Sequence, residues 1–237
     1  MNFKPISNKF EYLNWQEIES IAKEKRSTLI WPFGAVEQHG PHLPLATDSI
    51  FVDDIISEVF KLLPADIPLK KLPTQFIGFS PEHKGFAGTI SLSSNLITSM
   101  IKEVGGQLSE MGFKRLILIN GHGGQISLLN TAARELRSFS PDMAVFPCFL
   151  WSGVNGLSEL LTKTEIEDGL HASLAETSLM LALKPELVGD QRPNEGIKEQ
   201  IPDGWSLEGN APTAWLTDDF SNCLLYTSDA ADDMAGV

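Results

Sequence analysis

The 237-residue sequence predicts an α/β fold: a mainly parallel central sheet with helices on both faces. Three observations carry that reading. Short apolar strand patterns alternate with helical patterns along the chain. The clearest strand pattern, RLILIN at Arg115–Asn120, is apolar almost throughout, as a parallel strand covered on both faces must be. The segments between strands are long enough for crossover helices and too long for hairpin turns.

The first strand is Ser27–Ala35, carrying Leu29, Ile30, Trp31 and Phe33, and it ends in a Gly- and Pro-rich stretch from Gly34 to Pro44. Ile50, Val52, Ile55, Ile56, Val59 and Leu63 then fall mostly on one helical face, and Pro64 stops that helix. A short strand follows around Lys70–Thr74, then a loop, Gly78–Gly88, bearing Glu82 and His83. Ser93–Met111 is the clearest amphipathic helix. Leu96, Ile97, Met100, Ile101, Val104, Leu108 and Met111 recur every three or four residues, Ser93 or Ser94 caps the start, and Gly112 ends it. The RLILIN strand runs straight into Gly121–His122–Gly123–Gly124. A helix over Gln125–Phe139, a strand over Met143–Leu150 and a late helix continuing as LMLAL to Leu183 complete the pattern.

Composition narrows the function classes. The chain is 42% apolar and 21% charged, ordinary for a soluble globular protein, and the organisation expected is one domain over residues 1–222. A formal charge of −13 argues against a nucleic-acid backbone or an anionic membrane as partner. The two cysteines, Cys148 and Cys223, form no CxxC pair and no disulfide framework, so a reducing cytoplasm is the expected location. Met1–Tyr12 lacks the apolar core of a signal peptide, and no apolar run approaches the ~20 residues that span a bilayer.

The chemistry concentrates in few residues. All five histidines, His39, His42, His83, His122 and His171, lie outside the apolar strand and helix patterns. In an extended segment Glu37 and His39 leave on the same face, because a strand repeats every two residues. Asp48 opens the next helix, His122 follows the RLILIN strand, and Glu176 begins the late apolar helix. Taken singly, each has an ordinary reading: a solvated carboxylate, a helix cap, a turn histidine, a carboxylate favoured by a helix dipole. Taken together, two imidazoles and three carboxylates at element ends suit Zn²⁺, Mn²⁺ or Fe²⁺ better than Ca²⁺. The glycines around His122 form neither GxGxxG nor a P-loop, and no GxSxG is present.

Four strings, GAVEQHGPHLPLATD (Gly34–Asp48), FSPEHKGFAGTISL (Phe79–Leu92), NGHGGQ (Asn120–Gln125) and HASLAETSLMLAL (His171–Leu183), resemble the creatininase family in order and spacing. The resemblance implies a three-layer α/β/α sandwich, two divalent cations and a homo-oligomer, often a hexameric ring. It also implies a metal-dependent amidohydrolase that opens a C–N bond of a small-molecule amide or cyclic amide with a metal-bound hydroxide. Carried over residue by residue, the ligands are Glu37, His39, Asp48 as the bridge, and His122, with Glu176 as the remaining ligand. His171 is the first candidate for general acid, with His83 or Glu82 second. His42, Ser80, Gly123 and Trp151 are assigned to the substrate side, with His42 also placed to support a ligating histidine; Trp205 is a further lining candidate.

Two departures matter. Where creatininase itself has a tyrosine and a ligating glutamate after its counterpart of His122, this chain has Gly123 and Gly124. That moves weight from creatinine toward a formamide deformylase or a peptide-trimming hydrolase of the same family. A non-catalytic metal- or ligand-binding module is the reading from another class. The segment Cys223–Val237, CLLYTSDAADDMAGV, does not resemble the family's usual continuation, and the expectation there is a disordered tail from a coding sequence cut short.

Overall fold

The computed structural model describes residues 7–64, 66–162, 165, 171–192, 197–198, 213–217 and 220–221. Trp205 and the segment 223–237 lie outside them. The chain divides into two compact units that interleave in sequence. The first comprises Met1–Val36, Asp48–Phe79 and Ile90–Ser152; the second comprises Glu37–Thr47, Ser80–Thr89 and Gly153–Val237.

The first unit holds the parallel sheet. Strands β1 (Thr28–Phe33), β2 (Leu69–Lys71), β3 (Arg115–Asn120) and β4 (Ala144–Phe149) lie in the order β2-β1-β3-β4. Every pairing is parallel, and β1 matches β3 along its whole length, from Thr28 opposite Arg115 to Phe33 opposite Asn120. Pro32 sits in a central strand, where a missing N–H usually breaks the ladder. Here the regular β1–β2 register stops at Ile30 and pairing resumes at Gln75, whose N–H bonds to the Pro32 carbonyl at 2.9 Å, so the N–H that Pro32 lacks falls at the interruption.

Alternation along the strands builds two cores. Leu29, Trp31 and Phe33 of β1 and Leu116 and Leu118 of β3 face helices α1 (Trp15–Ala22), α3 (Ser94–Glu110) and α4 (Ile126–Phe139). Ile97 and Ile101 of α3 and Leu129 and Leu136 of α4 meet them there. On the opposite face Ile30, with Ile117 and Ile119, meets Val52 and Ile56 of α2 (Thr47–Leu62). Each fully buried side chain of this kind contributes roughly 1.5–3 kcal/mol. The three-layer α/β/α arrangement and the parallel sheet expected from the sequence are what the unit shows.

Boundaries differ in instructive ways. The helix that Asp48 was expected to open begins one residue earlier, at Thr47, which puts Asp48 inside its first turn. The strand expected over Lys70–Thr74 is shorter, Leu69–Lys71. Ser93 caps α3 by accepting the Leu96 N–H, and Gly112, at a φ of 107° that a side chain would resist, turns the chain away after it. Helix α1 was not read from the sequence, although its signal was present. Asn14 accepts from Gln16 and Glu17, and the Glu17 carboxylate accepts the Asn14 N–H, a complete capping box.

The second unit carries loops and short elements: a 3-10 turn at Pro81–His83, helices α5 (Leu157–Leu160) and α6 (Leu174–Leu183), and an antiparallel pair, β5 (Ile197–Lys198) with β6 (Phe220–Ser221). No helix among the described residues is long and apolar enough to cross a membrane.

Candidate metal centre

In the first unit, the chain leaves β1 toward β2 on one side and returns to β3 on the other, so the winding reverses between β1 and β3. Ligands of open parallel sheets sit outside the carboxyl ends of the strands at such a point. Asp48 and His122 are there. His122 Nδ1 lies 3.3 Å from Asp48 Oδ2, and both side chains are buried. Gly121 makes the approach possible: a Cβ on it would lie 2.6 Å from the Asp48 carbonyl oxygen. His122 donates its Nε2–H to the Phe79 carbonyl at 3.0 Å, which leaves Nδ1 of the neutral ring as a lone pair directed at the carboxylate.

Asn120 and Gln125, which the sequence reading did not single out, brace this end of the sheet. Asn120 Oδ1 accepts the His122 N–H and its amide donates to the His122 carbonyl. Gln125 donates to Gly34 O and Asn120 Oδ1 and accepts the Phe79 N–H. Gly123 opens the short turn that precedes α4. Trp151 packs edge-on against Phe51 of α2, with ring centroids 5.9 Å apart.

The second unit gathers the remaining donors. One ligand atom each from Glu37, His83 and His171 lies within 4.8 Å of the other two, and the same is true of His39, His171 and Glu176. Glu37 is fully buried; His83 Nε2 stands 3.5 Å and His171 Nδ1 3.6 Å from its Oε1. The His171 ring is stacked between its neighbours, with centroids 4.2 Å from both His39 and His83.

Backbone carbonyls set the tautomers here as well. His171 donates Nε2–H to Gln38 O at 2.5 Å, leaving Nδ1 toward Glu37. His39 donates Nδ1–H to Glu37 O at 3.2 Å, leaving Nε2 as its donor atom. The Nδ1 edge of His83 meets the Thr217 hydroxyl at 2.7 Å and the Gln38 amide at 3.1 Å, so its Nε2 edge faces the carboxylate. Gln38 and Thr217 are therefore working parts of the site that the sequence reading passed over. The signal for Gln38 was its place between Glu37 and His39; nothing in the sequence marked Thr217.

The other nominated residues have definite places. His42 donates or accepts through Nε2 at 2.9 Å to Thr177 of α6. Burial first, then the Arg192 charge and His39, lowers the His42 pKa to about 4, so its ring is neutral at pH 7. Ser80 is buried ahead of the Pro81–His83 turn. Glu82 is half-buried, and its carbonyl accepts the Thr217 hydroxyl at 2.9 Å. Glu176, in the first turn of α6, accepts the Ala172 N–H at 2.6 Å, and Ala172 adopts a left-handed φ of 49° to present it.

The donor chemistry fits a divalent cation. His39, His122 and His171 each spend one N–H on a backbone carbonyl, which orients the ring and leaves the other nitrogen as a donor. A buried carboxylate beside imidazole nitrogens is an environment in which a cation can be held. Imidazole with carboxylate is the donor mixture of Zn²⁺, Mn²⁺ and Fe²⁺ sites.

The fold is that of an α/β protein, and each of its two units sets carboxylates against imidazoles in a mixture that suits a divalent cation. The chain belongs to the creatininase family: the family model, described as creatinine amidohydrolase, matches residues 11–231. It is 33% identical over 181 residues to the mycofactocin precursor peptide peptidase of Mycobacterium tuberculosis, covering 74% of this chain and 66% of that protein. It is 30% identical over 190 residues to the creatinine amidohydrolase of Pseudomonas putida, covering 74% and 72%. A solved crystal structure of creatinine amidohydrolase (creatininase) superposes with a TM-score of 0.69 at 28% identity, over 83% of this chain and 80% of that one. The chain thus spans about two thirds of the length of the peptidase relative.

Proposed function

We propose that the protein is a metal-dependent hydrolase of C–N bonds, acting on a small amide, a cyclic amide or a peptide end. The observation that carries this reading is the set of carbonyl-fixed imidazoles directed at buried carboxylates. Glu37, His39, Asp48, His122 and Glu176 are the residues that would hold the divalent cations, two by the family resemblance. When bound, such ions acidify water toward neutral pKa and polarise a carbonyl oxygen.

The chain's own residues supply the rest. His171 is the proposed general acid: Nε2–H is committed to Gln38, so Nδ1 is the atom that takes up a proton and returns it to the leaving nitrogen. His83 and Glu82 are the second candidates for that transfer. His42, kept neutral by burial, holds α6 through Thr177 and, with Ser80, Gly123 and Trp151, is assigned to the substrate side.

A second substrate reading is favoured by a specific observation. A relative at 33% identity is a precursor-peptide peptidase, and Gly123 and Gly124 remove side-chain bulk directly after His122. Peptide trimming is therefore the proposed alternative to creatinine or formamide cleavage, and a homo-oligomer is the proposed assembly. One experiment separates these: purified protein loaded in turn with Zn²⁺, Mn²⁺ and Fe²⁺ is offered creatinine, N-formyl amines and short peptides. Ring opening of creatinine, release of amine from an N-formyl amine, or release of a new peptide amino terminus identifies the substrate class. A protein that carries about two metals per chain and cleaves none of them is a binding module instead.

A further inference from the structure

Helix α6 carries Glu176, follows His171 directly, and has an unusual beginning. Ser173 occupies its N-cap position but makes no side-chain cap to the helix. The free N–H groups of a first helical turn need acceptors, and buried ones cannot use water. Glu165, ten residues earlier than Ala175, provides one. It is only 2% exposed, and its Oε1 accepts the Ala175 N–H at 3.1 Å. Its own N–H is pinned to Thr162 Oγ1 at 3.1 Å. The Ser173 hydroxyl and the Leu174 N–H act on the same carboxylate.

The turn that Glu165 holds is the one that places the donors. Thr177 N–H bonds to Ser173 O at 2.8 Å, and the Thr177 hydroxyl meets His42 Nε2. Glu176 reaches back to the N–H of Ala172, whose left-handed backbone is an unfavourable state for alanine. A strained residue between His171 and the helix stays in place only if both of its sides are fixed.

We propose that Glu165 is a positioning residue for the metal-binding segment His171–Glu176, acting through the first turn of α6. This rests on the metal reading given above. The carboxylate does not touch the substrate or the metal; it keeps the turn closed, so that His171 and Glu176 hold their separation before a cation arrives.

The test uses the full chain and zinc alone, with affinity measured by competition against a chromogenic chelator and with melting of the metal-free protein recorded in parallel. Glu165→Met, which keeps the volume and removes the acceptor, is expected to weaken zinc binding about 10–100-fold, the usual effect of losing support behind a ligand. Glu165→Gln keeps a carbonyl for the Ala175 N–H and is expected to stay within about threefold of wild type. If Glu165→Met does not fold, Glu165→Asp decides: it withdraws the acceptor by one methylene, and an affinity loss of about 3–10-fold supports the proposal. Wild-type zinc affinity in the folded Met or Asp variant overturns it, as does a lower melting temperature with unchanged affinity, which would make the role structural only. A wild-type protein that binds no zinc, manganese or iron overturns the metal reading itself and this proposal with it.

Discussion

Asn120 in the sheet unit and Glu37 in the second unit are both buried, yet they are served by different neighbours. Asn120 makes its bonds to the backbone of His122 and to Gln125, so its polar atoms are matched by fixed amides. Glu37 faces the ring nitrogens of His83 and His171, whose other edges are already engaged. The first arrangement is complete with protein atoms and stabilises a strand end. The second sets a buried carboxylate against imidazoles, the donor mixture that suits a divalent cation. The same contrast appears inside the sheet unit, where the Asp48–His122 pair stands beside the fully braced Asn120. Scaffold and ligand functions are thus separable by what a buried polar group meets, and substitutions can test the separation.

The largest effect is expected from the ligands. Asp48→Ala and Glu37→Ala should each lose bound metal and detectable hydrolysis while the far-ultraviolet circular dichroism stays that of wild type. Metal analysis of the purified variants checks this; full hydrolysis in a metal-free Asp48→Ala protein would end the proposed chemistry. Next comes His171→Ala, expected to retain metal but slow turnover about 10²–10⁴-fold, the usual acid–base contribution. Loss of metal in that variant would instead make His171 a ligand, which its distance from Glu37 also allows.

The scaffold counterpart is Leu116→Ala. Leu116 is fully buried between the sheet and its covering helices, so the cost should be about 2–5 kcal/mol, from lost burial plus the cavity left behind. Denaturant unfolding measures it. Metal content per folded chain should be unchanged, and a loss of metal in the folded variant would break the division between scaffold and ligands.

The same division explains what could be read in advance. The sheet unit was legible because its apolar residues follow the needs of each element. RLILIN and the Leu29–Phe33 run are near-continuous apolar stretches of strand length, the α3 stripe from Leu96 to Met111 repeats at helical spacing, and each formed where expected. The ligand candidates were legible for another reason: each is ordinary alone, but five such residues at element ends share one explanation. What stayed hidden was the support. Gln38 holds His171 through its backbone carbonyl and His83 through its side-chain amide, and Thr217 reaches His83 from more than a hundred residues away. Glu165 caps a helix it does not belong to. No local pattern encodes a contact of that kind, because its partner is fixed by tertiary packing.

The smallest expected effect concerns acid. Each unit holds a titratable group with a lowered pKa, buried for His42 and half-buried for Asp53, and the two should respond at different pH. His42 is held neutral, chiefly by burial, with a pKa of about 4 against 6.5 in the unfolded chain. Between those values the unfolded chain takes up a proton that the folded one refuses, so this contribution to stability is full above pH 6.5 and is lost as pH falls toward 4. Asp53 of α2 behaves differently. Burial alone would raise its pKa, but the hydrogen bonds from Lys71 and Thr74 outweigh that and hold it below 3.8. Its contribution therefore persists through the histidine window and fades only at lower pH. His42→Gln, which keeps a neutral partner for Thr177, should flatten the fall in melting temperature between pH 7 and pH 5; Asp53→Asn should lower the melting temperature at both pH values and leave that slope as in wild type. Equal slopes for wild type and His42→Gln would show that the imidazole is not buried neutral, and that the acid sensitivity of the second unit has another source.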